Sequence, residues 1–239
     1  MPLNFTPYCV FDFETGSRNP HKTQPTQLAA VMLDPRTLEI KSGGEFNSEI
    51  RAVIDDEKAI ELGLDPLEDG ALKVTGKTRE QIDQAPELDI VWNNFVKWVK
   101  KFNKTSNSFN AAIPVGYNIV GFDLPIIDRL CRGEFSSVGV RSKQVGEDGN
   151  PNLFNKIRSV DVMQNVWMWT ESNPDVKSIS MDNNRRWLGF PEESFDKAHD
   201  ALQDVKDTAN IFIKFLKYHR NIANKTNFEN AFAKTGMYV

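Results

Sequence analysis

Val10-Phe11-Asp12-Phe13-Glu14-Thr15-Gly16 reads as a β-strand that carries two carboxylates. Alternate residues of a strand point to the same face, so Asp12 and Glu14 project side by side while Phe11 and Phe13 face the other way. Like charges that close repel, and burying them is costly unless something compensates. A divalent cation is the natural compensation, because hard cations take carboxylate oxygens. A pair of acidic residues in one strand also arises by chance, so its weight depends on matching ligands elsewhere in the chain.

Around this strand (residues 8–14) the pattern continues as a meander. Residues 27–33 read as a second strand, Asp34-Pro35-Arg36-Thr37 as a turn, and residues 38–47 with Glu49-Ile50-Arg51 as a third strand. The chain then turns helical, with a short acidic helix over 56–62 and a second opened by Thr78-Arg79-Glu80-Gln81, where Thr78 is the N-cap. Residues 87–102 place Leu88, Val91, Trp92, Phe95, Val96, Val99 and Phe102 at the helical period. A fourth strand over 112–117 leads through a Gly-Tyr-Asn turn into a helix over 123–132. A fifth strand over 157–162 precedes helices over 162–171, 178–188 and 199–220. Three strands, helices, strand, helix, strand and helices give an α/β fold with a central mixed five-stranded sheet flanked by helices. With no internal repeat and no linker rich in Gly, Ser or Pro, residues 1–239 read as a single domain with an irregular insertion at about 133–158.

The bulk numbers narrow the function classes. Hydrophobic residues at 40% and charged residues at 26% form an ordinary globular balance. No apolar run is long enough to span a bilayer, and Met1-Pro2-Leu3-Asn4-Phe5 lacks the basic-then-apolar order of a secretory signal. Cys9 and Cys131, the only cysteines, read as buried free thiols, and a soluble, cytoplasmic setting is expected. A net charge of 29 − 33 = −4 argues against a general nucleic-acid coating protein. It leaves room for an enzyme that binds a few nucleotides around metal ions, since a metal site adds acidic residues to the count.

Two further stretches supply candidate ligands. Gly116-Tyr117-Asn118-Ile119-Val120-Gly121-Phe122-Asp123 lies where the fourth strand leaves the sheet, the end at which α/β sheets collect ligands. Asp123 reads there equally well as a helix N-cap. His199-Asp200-Ala201-Leu202-Gln203-Asp204 opens the last helix, with Asp204 beside apolar neighbours. His21, His199 and His219 show no spacing that suggests zinc.

Taken in order, Phe11-Asp12-Phe13-Glu14-Thr15, Asn118 to Asp123, and His199 to Asp204 resemble the three motifs of the DEDD-type exonucleases. These belong to the DnaQ-like branch of the ribonuclease-H-like superfamily, and the third motif is that of the histidine-bearing subgroup. Val74-Thr75-Gly76-Lys77-Thr78 resembles the turn before the family's first helix, and Ser178 to Gly189 its approach to the third motif. The resemblance covers roughly residues 8–218. Extra residues around 50–72 and the 133–158 segment lie outside the motifs and bear on substrate choice rather than chemistry.

The resemblance implies a ribonuclease-H-like fold and a 3′→5′ exonuclease that releases nucleoside 5′-monophosphates by two-metal catalysis. It implies that Asp12, Glu14, Asp123 and Asp204 hold two Mg²⁺ or Mn²⁺ ions, with Asp12 bridging, and that His199 is the general base. Thr15 and Gly16 are expected to meet the terminal nucleotide, with Asn118 and Phe122 also at the substrate. Phe122 or Tyr117 offers a stacking face, and Arg141, Lys143, Lys156 and Arg158 are candidates to guide the phosphate backbone. The favoured partner is the 3′ end of single-stranded DNA. RNA trimming by the same subgroup is the alternative, and a polymerase proofreading subunit a further one. An inactive binding relative is disfavoured because all four carboxylates and the histidine are present.

Overall fold

The computed structural model describes residues 6–103, 108–191 and 200–225. Strand β1 (Tyr8–Thr15) is the centre of a five-stranded sheet of order β3-β2-β1-β4-β5, with β2 at Pro25–Leu33 and β3 at Ile40–Glu49. These three strands run antiparallel, with Asp12 opposite Ala29 and Glu14 opposite Gln27. On its other edge β1 pairs parallel with β4 (Ile113–Gly116), which pairs parallel with β5 (Val160–Asp161). The mixed sheet expected from the sequence is present.

Alternation along β1 divides the core in two. Cys9, Phe11 and Phe13 join Leu28, Ala30 and Met32 against α4 (Leu88–Phe102) and α5 (Asp123–Arg132). Val10 joins Ala29, Val31, Leu33 and Val115 against α6 (Val162–Thr170) and α8 (Ala201–Lys225). Asp12 and Glu14 share the Val10 side by strand period, so they face α8. Helix α4 forms because its buried Leu88, Val91, Trp92, Phe95, Val96 and Val99 recur every three or four residues. Both thiols are buried and unpaired, and burial pushes the Cys131 thiol up to about 12.

The segment between β3 and α4 holds α1 (Asp56–Glu61), α2 (Asp69–Thr75) and α3 (Arg79–Asp83). The Thr78 side chain accepts from Gln81 N–H while Gln81 caps Thr78 N–H in return, the reciprocal box that the sequence suggested. Helix α2 was not anticipated. It ends at Gly76, whose φ of +67° closes it just before that box. The fifth strand is shorter than the expected 157–162, because Asn155 Oδ1 accepts from the N–H groups of Ile157 (3.0 Å) and Arg158 (2.9 Å) and bends the chain there. Helix α7 spans Met181–Trp187, and α8 continues to Lys225 rather than stopping near 220. The 133–158 segment carries a short 3₁₀ helix (Glu134–Val138) and buries Phe135, Val140, Leu153 and Phe154. No helix among the described residues is long and apolar enough to cross a membrane.

Candidate active site

Oxygens of Asp12, Glu14 and Asp204 lie within 4.8 Å of one another, which unites the first and third sequence stretches. Strand β1 presents the first two and the first turn of α8 presents the third. Asp123 is buried at the start of α5, and its Oδ1 accepts from the N–H of Phe13 at 3.0 Å. The second stretch is thereby tied to the backbone between Asp12 and Glu14. His199 lies outside the described residues.

Charge is disfavoured at Asp12, Glu14 and Asp123. Burial, then Asp123, Glu14 and Asp204, hold the Asp12 carboxyl well above the usual carboxylate range, against the pull of Arg185. Burial and Asp204 push Glu14 up to about 8, with Lys77 opposing. Burial also raises Asp123 to about 8, although the Phe13 N–H favours its charged form. An all-oxygen donor set whose ionised form is only partly compensated, by Arg185 and Lys77, fits a hard divalent cation. Asp12, Glu14 and Asp204 are the residues that would hold it, with Asp123 at its margin.

The turn that delivers Asp123 rests on a residue the sequence reading left aside. Asp161, buried at the end of β5, accepts from Asn118 N–H (3.1 Å) through Oδ1 and from Val120 N–H (3.2 Å) through Oδ2. It also caps α6 through Met163 and Gln164 N–H. Asn118 adopts φ +58°, a left-handed conformation that Asn tolerates. Asn118 is thus held by its backbone. The Tyr117 hydroxyl donates to Ile179 O and accepts from Asn184, which ties this turn to the approach to α7. Tyr117 packs in the α8-side core, while Phe122 borders a cavity of about 210 Å³ shared with Glu14, Thr15 and Arg18.

That cavity is walled in part by the extra residues near 50–72, which reach the loop just after the first motif. Glu68 N–H donates to Gly16 O (2.8 Å), and Ser17 Oγ donates to Asp65 (3.0 Å). Leu67 packs so closely that a Cβ on Gly16 would lie 2.2 Å from its Cδ2, so any larger residue there has to displace the Leu67 side chain. Thr15 turns its hydroxyl to Ser17 O at 2.9 Å. From α5, Arg129 donates to Pro20 O and Thr23 O, both at 3.0 Å, which fixes the loop after β1. Of the basic residues proposed to meet a phosphate backbone, Lys156 pairs with Asp148 at 2.5 Å. It lines, with Arg158 and Arg132, a separate cavity of about 710 Å³ along α5.

Arg185 is the other residue the sequence did not single out. Fully buried on α7, it pairs with Asp204, with Asp207 (2.7 Å) and with Asp182 (3.0 Å). Arg185 and Arg186 both lie in the Ser178–Gly189 stretch, and nothing in an Arg-Arg pair indicates which one turns inward.

No family model matches the sequence, and no curated protein matches it either. Solved structures do. E. coli Exonuclease I in complex with a dT13 oligonucleotide aligns at TM-score 0.61 and 15% identity, covering 93% of this chain and 43% of that one. Cell-death related nuclease 4 aligns at TM-score 0.59 and 16% identity, covering 90% of this chain and 65% of that one. The fold is the ribonuclease-H-like fold of the exonucleases. A 3′-exonuclease described with histone mRNA stem-loop shares it at TM-score 0.59 and 15% identity, covering 90% of this chain and 83% of that one. The chain thus spans less than half the length of the Exonuclease I chain. Within a ribonuclease-H-like fold the carboxylates here stand at the carboxyl end of the central strand, where β1 and β4 diverge into loops.

Proposed function

We propose that this chain is a metal-dependent 3′→5′ exonuclease that removes nucleoside 5′-monophosphates from single-stranded DNA. The convergence of Asp12, Glu14 and Asp204 oxygens within 4.8 Å carries this reading, with Asp123 hydrogen-bonded to the strand between the first two. The likeness to solved exonucleases supports it through the fold. The reading takes residues 1–239 as one domain with its core at about 8–218.

Asp12, Glu14, Asp123 and Asp204 are assigned to hold two divalent cations, Mg²⁺ or Mn²⁺. When bound, such ions activate a water and stabilise the attacking and leaving oxygens of an in-line displacement. His199, just before α8, is assigned to take the proton of that water. The end of β1 and the loop after it, pinned by Arg129 and Glu68, present Thr15 and Gly16 to the terminal nucleotide. Phe122 offers its ring to the last base from the edge of the cavity beside Glu14.

A second reading, an RNA-trimming enzyme, is favoured by one observation: the structure described with histone mRNA stem-loop is matched over 83% of its own length. One experiment addresses both. Labelled DNA and RNA strands, single and double, are incubated with Mg²⁺ or Mn²⁺. Shortening from the 3′ end is expected, fastest on single-stranded DNA. Strands left intact after long incubation would sink the nuclease assignment, and preferential loss of RNA would move it to the second reading.

A further inference from the structure

The carboxylate cluster contains a cation of its own. Arg185 is 0% exposed, and each of its three nitrogens donates to a different carboxylate: Nη2 to Asp204, Nε to Asp207 and Nη1 to Asp182. Asp204 and Asp207 are three residues apart on α8, so they lie on one face a turn apart. The side-on edge of a planar guanidinium, Nε with Nη2, spans that pair. A lysine ammonium, a single point on a flexible stem, does not span it in the same fixed geometry.

Both ends of this fork are fixed. On α7, Asn184 donates to Ile179 O (3.1 Å) and to the Tyr117 hydroxyl, next to the turn that carries Asp123. On α8, Asp207 receives Arg185 on Oδ2 and Gln203 on Oδ1 at 2.8 Å. An unrestrained Asp204 would swing away from two like charges, and the guanidinium engages its Oδ1 from inside the protein. We infer that Arg185 is a positioning residue of the cation site: it holds Asp204 in the orientation that shares a divalent cation with Asp12 and Glu14. The inference rests on the proposed reading of that cluster as a metal site. It adds that α7, which contributes none of the four carboxylates, sets the geometry of one of them. Partners that orient a metal ligand typically change metal affinity or activity by about 10–100-fold when lost.

The test is direct Mn²⁺ binding to the full chain, followed through the paramagnetic signal of free Mn²⁺, which needs no nuclease activity. Arg185→Lys keeps the charge and removes the fork. It is expected to weaken Mn²⁺ binding by about 10–100-fold, with turnover restored as Mn²⁺ is raised. Asp207→Asn leaves every cluster carboxylate and Arg185 in place and is expected to weaken binding in the same direction by less. A folded Arg185→Lys protein that binds Mn²⁺ like the wild type overturns the inference. If that variant does not fold, wild-type affinity in Asp207→Asn overturns it instead. Turnover lost at unchanged Mn²⁺ affinity and not restored by Mn²⁺ assigns Arg185 a purely structural role. Wild-type protein that takes up no Mn²⁺ overturns the metal site itself, an outcome read before any variant is made.

Discussion

On one face of β1, Phe11 and Phe13 enter a dry aromatic layer in which Phe11 stacks on Phe154 at 5.2 Å and Phe95 contacts Phe46, Trp92 and Trp98. On the other face, one residue out of register, Asp12 and Glu14 meet Asp204 and the charge of Arg185. The same strand thus serves stability on one side and gives it up on the other. Aromatic burial needs only complementary shape. Converging carboxylates raise one another's energy until a cation arrives. The sheet tolerates the second face because the first, with α4 and α5 behind it, is large and dry.

The sharpest way to separate the two faces is to neutralise one charge. Asp12→Asn keeps the shape of the side chain and removes its ability to hold a cation. Turnover is expected to fall by about a thousandfold or more, ~4 kcal/mol of barrier. Melting temperature in EDTA is expected to hold or rise, since the substitution removes the cost of burying a carboxylate and its repulsion from Asp123, Glu14 and Asp204. A variant with near-normal turnover breaks the assignment of that face to catalysis.

The aromatic face predicts the opposite pattern. Phe95 is 0% exposed at the centre of its layer. Phe95→Ala is expected to cost about 3–5 kcal/mol of stability, a loss on the order of 10 °C in melting temperature for a chain of this size. Turnover per folded molecule at saturating metal should change little. A variant that melts normally but loses turnover contradicts the division between the faces.

The two faces also differ in how far the sequence exposes them. The strand period places Asp12 and Glu14 together, and the Asn118–Asp123 turn and the start of α8 are local patterns that mark Asp123 and Asp204. What holds these residues comes from far along the chain. Arg185 pairs across 19 residues with Asp204, and Asp161 reaches back 43 residues to Asn118 N–H. Neither partner carries a local signature beyond that of a helical Arg or an N-cap Asp. Helix α2 was missed for a different reason: it contains Gly70 and ends in Val74-Thr75, residues of weak helix propensity, and it forms where Leu72 is buried with Leu67 and Ile82. The wall it adds to the cavity beside Glu14 was therefore invisible as well.

The smallest expected effect is the most specific to the charged face, a dependence of stability on pH that a divalent cation removes. Glu14 and Asp123 lie at about 8 in the metal-free fold, against ordinary values of 4.5 and 3.8. Between those limits the folded chain keeps protons that the unfolded chain has released. Stability therefore falls as pH rises through that window. Asp34 runs the other way, since the Arg36 N–H and Lys41 hold it down at about 2. Its stabilising share is lost only in acid and is complete before pH 5.5 is reached, so it leaves the window clear. In EDTA the melting temperature should drop by a few degrees between pH 5.5 and pH 8.5. With saturating Mg²⁺ the drop should shrink, because the cation binds the ionised carboxylates of the folded chain and its stabilisation grows as they lose protons. A flat or rising profile in EDTA, or one that Mg²⁺ leaves unchanged, means that the carboxylates of β1 are not held at a cost for a cation, and the contrast between its two faces collapses.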